Sequence, residues 1–135
     1  MILVLDTADN EKTFVGLFDE RWLSKKEWPS GRNLSADILN VLESVYKKAE
    51  KSFRDTDEII VSSGPGSFTG LRIGLSIANT FAYSLDIPIA GVPAAKNIED
   101  LLSTGKKALG KANKFEKAVI PVYGSEPNIT KPEKK

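Results

Sequence analysis

A glycine-rich loop, residues 62–70, is the stretch of the sequence whose residue types could most directly do chemistry. It stands between a short apolar run and a long apolar segment that is typical of a helix. Backbone N–H groups in such a loop, together with the positive end of a following helix, attract anions. A phosphate or nucleotide contact would fall to Gly64, Gly66, Ser67, Thr69 and Gly70.

The same loop has a purely structural interpretation. A Walker A loop has a lysine directly after its last glycine, and this loop has none. Its glycine spacing also differs from that of the dinucleotide-binding fingerprint. The glycines would then permit a tight turn with positive φ, and Ser67 would cap the helix. Both interpretations are open on the residues alone, and we favour the turn.

Asp6 and Thr7 follow the first apolar run and are the second candidate for chemistry. An acid at a strand end can bind Mg²⁺, and a neighbouring hydroxyl can help to orient a phosphate. The next residue is Ala8, where glycine would let a phosphate approach the backbone. Since a lone aspartate at this position is commonly a turn acceptor, we favour that role over catalysis. For Arg72, one turn into the second helix, we favour an ordinary surface salt bridge over contact with an anion or with a partner's carboxylate.

Composition excludes several kinds of site. The chain has 135 residues with no histidine and no cysteine. Ser-His-Asp triads, histidine or thiolate zinc sites and disulfides therefore cannot be built from it alone. Carboxylate-bound Mg²⁺ stays open, but we predict no catalytic residue and no metal-binding residue. No apolar run is long enough to span a membrane and no signal peptide is evident, so we expect a cytoplasmic protein with no membrane partner.

Apolar runs separated by turns predict the elements. Three short strands over residues 2–6, 13–18 and 21–28 indicate an antiparallel meander. Leu34–Ala49 has the periodicity of an amphipathic helix, with Asn33 or Ser35 as its N-cap. Residues 59–61, Thr69–Leu85 and residues 87–92 form a βαβ unit, which requires a parallel pair with a right-handed crossover.

The second helix of this set is apolar almost all round, so it needs cover on two sides. One side is its own sheet. The other would be an internal helix or another protein chain, and the residues leave both open.

The remaining residues divide the chain into two predicted parts. A short third helix from Pro93 to about Thr104 would complete a domain over residues 1–104. Residues 105–135 would be a lysine-rich linker, a short edge strand at Ala118–Tyr123 and an extended tail. Residues 103–135 contain eight lysines and three glutamates, a net charge of +5. Most such ends are solvated tails, although this one could also attract RNA or an acidic partner.

The predicted order β-β-β-α-β-α-β-α is that of a ribonuclease-H-like fold. We therefore expect an α/β protein with a mixed five-stranded sheet and helices packed on it. The meander supplies antiparallel strands and the crossovers supply parallel ones.

Residues 64–75, GPGSFTGLRIGL, carry a resemblance to a known family, together with MILVLDTAD at the start and DIPIAGV after the second helix. The pattern resembles the bacterial TsaB (YeaZ) family, within the actin, sugar kinase and Hsp70 (ASKHA) superfamily. The resemblance covers residues 1 to about 100, and the GPGSFTGLR run is highly specific to that family. It implies an ASKHA N-terminal lobe.

The resemblance also implies a function. Proteins of this family take part in making threonylcarbamoyladenosine (t6A) on transfer RNA as non-catalytic scaffold subunits. The related transferase subunit, TsaD, holds the metal and moves the threonylcarbamoyl group, and an ATPase subunit, TsaE, completes the set. We expect no cofactor on this chain, with ATP and Mg²⁺ bound only through the partner complex, and indirect contact with tRNA.

The family's two N-lobe helices pack against the partner's equivalent helices or against a second copy, so a heterodimer with TsaD or a homodimer is expected. The eight residues expected at that interface are Leu34, Ile38, Leu42, Val45, Leu71, Leu75, Ala78 and Ala82. The alternatives to this scaffold are a small nucleotide- or phosphate-binding enzyme and an RNA-binding accessory that uses the basic C-terminal segment.

Two departures from the family pattern accompany the resemblance. A typical member continues into a second lobe of comparable size, whereas residues 120–123, IPVY, resemble the family's C-terminal proline–tyrosine segment. We therefore expect the second lobe to be missing. An ASKHA nucleotide site lies between two lobes, so this departure and Ala8 both predict poor ATP binding.

Overall fold

The computed structural model describes residues 1–111, apart from the side chain of Lys111. Five strands form one sheet with the spatial order β3-β2-β1-β4-β5. Their bounds are β1 Ile2–Asp6, β2 Thr13–Phe18, β3 Trp22–Trp28, β4 Glu58–Gly64 and β5 Ile89–Pro93. Strands β1, β2 and β3 pair antiparallel, whereas β4 pairs parallel with both β1 and β5.

Three helices pack on this sheet in the described residues. They are α1 Leu34–Ala49, α2 Phe68–Leu85 and α3 Ile98–Lys111. A short 3₁₀ turn, Gly31–Asn33, leads into α1, and a second one, Phe53–Asp55, follows it. Both α1 and α2 end at a residue in the left-handed conformation, Glu50 and Asp86 respectively, whose N–H groups donate to carbonyls of the last turn.

The sheet has a hydrophobic core on each face. Alternate residues of one strand point to opposite faces, so Leu3 and Leu5 of β1 lie on the α1–α2 side and Val4 lies on the α3 side. The two central positions of β4, Ile59 and Ile60, divide in the same way. The structure is thus a three-layer sandwich, in which the long runs of apolar residues in β1 and β4 reflect burial on both faces.

The predicted architecture is confirmed: the fold is α/β, the sheet is mixed and five-stranded, and the elements occur in the expected order. The third helix differs, however. It begins at Ile98 and continues to Lys111, so the expectations of a helix from Pro93 and of a loop from Gly105 were wrong. Pro93 ends β5, and the predicted division at residues 104 and 105 falls inside α3.

The glycine at position 105 explains the third helix. A Cβ built there would lie 2.5 Å from Ile60 Cδ1, so only glycine lets α3 approach β4 so closely. Packing on the sheet therefore outweighs the low helix propensity of this residue. The predicted edge strand at Ala118–Tyr123 and the tail after it lie outside the described residues.

A search of the described residues for a helix long and apolar enough to cross a membrane found none.

Candidate functional site

The glycine-rich loop joins β4 to α2 and packs against the turn that follows β1. The Ser67 N–H donates to the Ala8 carbonyl at 2.7 Å, and a Cβ on Gly66 would come within 2.3 Å of that same oxygen. The Thr7 hydroxyl, in a side chain only 1% exposed, donates to the Gly70 carbonyl at 2.7 Å. These three contacts hold the first turn of α2 directly over the end of β1.

Several of the backbone N–H groups that could bind an anion already donate to protein acceptors. The Gly70 N–H donates to Ser67 Oγ at 3.2 Å, which makes Ser67 the N-cap of α2, as its sequence position predicts. The Ser67 N–H is used by Ala8, and the Gly64 N–H points to Ser62 Oγ at 3.4 Å. Pro65, which follows a cis peptide bond, has no N–H. The geometry is that of a turn which positions a helix.

Asp6 lies beside this loop, at the end of β1. Its carboxylate accepts the Ala8 N–H at 3.0 Å, which is the turn-acceptor role favoured from the sequence. Burial raises the pKa of this carboxyl above its ordinary value; the Ala8 hydrogen bond works against that rise, and the charges of Asp9 and Glu27 add to it. In the described residues, no cluster of three or more acidic side chains could hold a metal ion.

The structure brings some of the residues predicted to contact a phosphate to one place. Asp6, Gly66 and Ser67 line an open cleft of about 390 Å³ at the carboxyl ends of the strands, together with Asp9, Asn10 and the Ala94–Ala95 pair. Thr7 does not reach it, because its hydroxyl is buried against α2. Gly70 is also buried, beneath the Thr7 carbonyl. The cleft therefore lacks the hydroxyl that the sequence placed beside Asp6.

The helix residues expected at a partner interface are buried in the chain's own core. None of the eight is more than 4% exposed, and all belong to the cluster between the sheet and the helices. They are Leu34, Ile38, Leu42, Val45, Leu71, Leu75, Ala78 and Ala82. These side chains therefore pack mainly within this chain, although Leu42 and Leu75 also line the two grooves on the outer side of the helices.

Other apolar side chains remain on the outer side of the two helices. Ile73, Ile77 and Phe81 of α2 are only partly buried, and Leu39 of α1 is 61% exposed. We call these four residues the outer apolar surface. The helical periodicity of Ile73, Ile77 and Phe81, four residues apart, was visible in the sequence, but nothing there separated it from the deeper stripe.

Two grooves accompany this surface. One of about 580 Å³ runs along α2 past Thr69, Arg72 and Ile73. The other, of about 480 Å³, lies between the C-terminal halves of α1 and α2, and its lining includes Leu39, Tyr46, Lys47, Lys51, Phe53 and Phe81. No sequence pattern indicates the second groove, because Phe53 and Phe81 meet only through the tertiary structure.

Arg72 is exposed and lies over the Phe68 ring, 5.5 Å from its centroid. No ion pair joins it to another of the described residues, so the surface salt bridge expected for it is not found among residues 1–111. Its guanidinium remains able to meet a carboxylate on another molecule.

Comparisons with known proteins give consistent results. A family model described as TsaD, tRNA N6-adenosine threonylcarbamoyltransferase, matches residues 29–99. The tRNA threonylcarbamoyladenosine biosynthesis protein TsaB of Bacillus subtilis strain 168 is 31% identical over 122 residues, which are 90% of this chain and 49% of that protein. TsaB of Escherichia coli K12 is 32% identical over 91 residues, 67% of this chain and 39% of that protein.

Transferases and a solved structure also match. The tRNA N6-adenosine threonylcarbamoyltransferase of Bacillus anthracis is 40% identical over 90 residues, 67% of this chain and 24% of that protein. The structure of YeaZ from Pseudomonas aeruginosa superposes with a TM-score of 0.61 at 27% identity, over 68% of this chain and 42% of that one. These neighbours support the ribonuclease-H-like fold. The chain spans about half the length, or less, of the relatives it matches.

Proposed function

Because this chain belongs to the TsaB (YeaZ) family, we propose that it acts in the biosynthesis of tRNA threonylcarbamoyladenosine as a non-catalytic partner subunit. Its partner is a TsaD-like transferase subunit, and a second copy of this chain is the alternative partner. A TsaE-like ATPase belongs to the same complex, and tRNA and Mg-ATP are bound through the partner subunits. The relatives' names support the pathway, and the structure supports the kind of role.

The outer apolar surface is the observation that carries this proposal. Ile73, Ile77 and Phe81 form a line along α2, and Leu39 stands beside them on α1. A helix of one protein can pack its ridges into the groove between two helices of another. The interface therefore lies one layer outside the residues that the sequence suggested.

The contacts around the glycine-rich loop favour a scaffold over an enzyme. Ser67 and Gly70 use their N–H groups within the chain, and the Asp6 carboxylate accepts a hydrogen bond from its own turn. These groups already stabilise the approach of α2 to β1. The Ser67 and Gly70 N–H groups could reach a substrate only after those contacts break.

Pull-down of the full chain with the transferase subunit tests the proposal. Ile77→Arg places a charge on the outer apolar surface, and we expect it to abolish the complex, since desolvating an unpaired charge costs about 3–5 kcal/mol. Ser103→Arg, at an exposed position of α3 on the opposite side of the sheet, is the matched control and should bind like the wild type. Equal binding by the two variants would show that this face is not the interface.

Ile77 is a better position for this test than the core residues of the same helices. Leu42, Val45, Leu75 and Ala78 all lie in the core, so a charged residue at any of them would disrupt the packing of the helices on the sheet. Those variants would lose the fold, so loss of the complex would carry no information about an interface. Circular dichroism of Ile77→Arg should match that of the wild type.

A further inference from the structure

We propose that the groove between the C-terminal halves of α1 and α2 is a socket for a partner helix that carries an apolar side chain and, one turn away, a carboxylate. This inference rests on the proposed function, because the partner helix belongs to the transferase subunit. It adds the chemistry of one contact, at the end of the outer apolar surface that lies farthest from the glycine-rich loop.

The wall of the socket is aromatic and is already formed. The Phe53 ring lies edge-to-face against Phe81, with centroids 4.5 Å apart, and against Tyr46, at 6.2 Å. The Tyr46 and Thr56 hydroxyls are hydrogen-bonded to each other, and this bond holds the Tyr46 ring in place. Because the rings hold one another in place, a ligand side chain would order little on binding, and such preorganisation favours affinity.

Phe53 owes its position to the turn that follows α1. Ser52 and Asp55 form a capping box around this turn: the Arg54 N–H donates to Ser52 Oγ at 3.1 Å and the Ser52 N–H donates to the Asp55 carboxylate at 2.7 Å. Besides the two helices, the groove is therefore lined by a short turn, which carries Phe53 and is stabilised by its own hydrogen bonds.

The rim of the socket carries the charge that selects the partner. Lys47 and Lys51 line the groove, and Glu43 is the one acid among its lining residues. In the described part of the chain, neither lysine forms an ion pair. An apolar groove with two unpaired ammonium groups on its edge is complementary to an apolar side chain that has a carboxylate nearby.

A helix suits the shape of this site. The groove is open to solvent, and Phe81, which lines it, stands one turn beyond Ile77 on α2. On an amphipathic helix, residues three or four apart share a face, so an apolar anchor and an acid at that spacing would reach the rings and the lysines together. Leu39, on the α1 edge of the socket, would lose its exposure to water on docking.

The test measures the affinity of the full chain for the transferase subunit by calorimetry, at low salt and at about 1 M salt, where the screening length falls to about 3 Å. The double variant Lys47→Glu/Lys51→Glu should bind about tenfold more weakly at low salt and lose most of the salt dependence. Lys48→Glu is the control, since it reverses the charge of one exposed lysine of α1 that does not line the groove, and it should stay within about twofold of wild type.

A second variant tests the apolar part of the socket. Leu39→Asp changes an exposed side chain, so the fold should persist, and we expect it to weaken binding about tenfold or more. The socket is overturned if Leu39→Asp binds like the wild type, or if the double lysine variant behaves like Lys48→Glu. If Ile77→Arg still abolishes binding in that case, the proposed function stands without the socket. If the wild-type chain does not bind the transferase at all, the socket and the heterodimer are both wrong, and a pair of copies of this chain is the pairing that remains.

Discussion

At the scale of single residues, Thr7 is the point on which the approach of α2 to the sheet depends. Its hydroxyl donates to the Gly70 carbonyl, and its side chain lies directly beneath Gly74. A Cβ added at position 74 would stand 2.1 Å from Thr7 Oγ1 and 2.9 Å from Cγ2. Close packing therefore requires a glycine here. Helix propensity alone would favour alanine at a position in the middle of a helix.

We predict that Gly74→Ala destabilises the protein by about 1–3 kcal/mol, the usual cost of overpacking a core. The higher helix propensity of alanine offsets only about 1 kcal/mol of the strain. Gly110→Ala in α3 is the control, since no described atom lies within 4 Å of the added Cβ, and it should be neutral or slightly stabilising. Urea unfolding of both variants measures the difference, and equal stabilities would contradict the packing argument.

Asp6 gives a prediction that depends on pH. Its pKa is raised in the folded protein, chiefly by burial, so the folded state binds the proton more tightly than the unfolded chain does. Stability from this group is complete below the ordinary carboxyl pKa of about 4 and is lost as pH rises through the folded pKa. Asp6→Asn keeps an oxygen that can accept the Ala8 N–H but removes the charge.

The asparagine variant should therefore be more stable than the wild type at pH 7, and the difference should shrink as the pH falls towards 4. Free energies of unfolding at a series of pH values check this expectation. A variant that is less stable than the wild type at neutral pH would mean that the Asp6 charge is stabilised by its surroundings. The Asp6→Asn variant should also bind the transferase subunit as the wild type does if this carboxylate has no part in the interface.

At the scale of elements, much of the fold could be predicted from the sequence, because the apolar residues of a buried face recur at the regular spacing of a helix or a strand. Alternation and short apolar runs identified all five strands. The three- and four-residue spacing identified α1, and α2 was predicted because its segment is long and apolar almost all round. The C-terminal part of α3 was missed because its exposed lysines and its glycines resemble a loop. A side chain at position 105 would collide with Ile60 of β4, and no local sequence pattern records that contact.

The candidate site was harder to predict for a related reason. Periodicity finds the most strongly apolar stripe of a helix, and in α1 and α2 that stripe faces the sheet. The residues left outside, such as Leu39 and Ile77, look ordinary in the sequence. The groove beside them depends on Phe53 and Phe81, which are 28 positions apart and meet only in the folded chain.

The first turn of α2 supplies the prediction at this scale. Ser67→Ala removes the hydroxyl that accepts the Gly70 N–H and should cost about 1 kcal/mol of stability. Asn33→Ala is the matched control, since Asn33 is the N-cap of α1 but its side chain makes no capping bond. The control should change the free energy of unfolding by a few tenths of a kcal/mol, and a loss equal to that of Ser67→Ala would refute the capping argument.

At the scale of the whole molecule, the two faces of the sheet are closed in different ways. Over β2 and β3, the α3 side is covered by the Trp22 ring, edge-to-face with Phe14 and Phe18 at 5.3 and 5.2 Å. Lys106 lies over Phe18 and Lys25 over Trp22, at 5.0 and 5.6 Å from the ring centroids. These ammonium groups cover the aromatic cluster on the α3 side, whereas Leu39, Ile73, Ile77 and Phe81 leave apolar surface on the α1–α2 side.

The net positive charge of the socket distinguishes the two candidate partners of this face, a second copy of the chain and the transferase subunit. Two copies of the chain packed through a two-fold axis would bring Lys47 and Lys51 of one copy towards the same residues of the other. Like charges repel, so self-association should be weak at low salt and should strengthen as salt is added. A partner helix with a carboxylate would show the opposite dependence, because salt screens an attraction.

Light scattering coupled to size exclusion measures both associations across a salt series. Alone at low salt, the chain should elute with the mass of one copy, 14.7 kDa. With the transferase subunit it should form a one-to-one complex that dissociates as the salt concentration rises. Self-association that is strongest at low salt would place opposite charges in contact between two copies. The homodimer, rather than the heterodimer, would then be the pairing for which the charges of this surface are arranged.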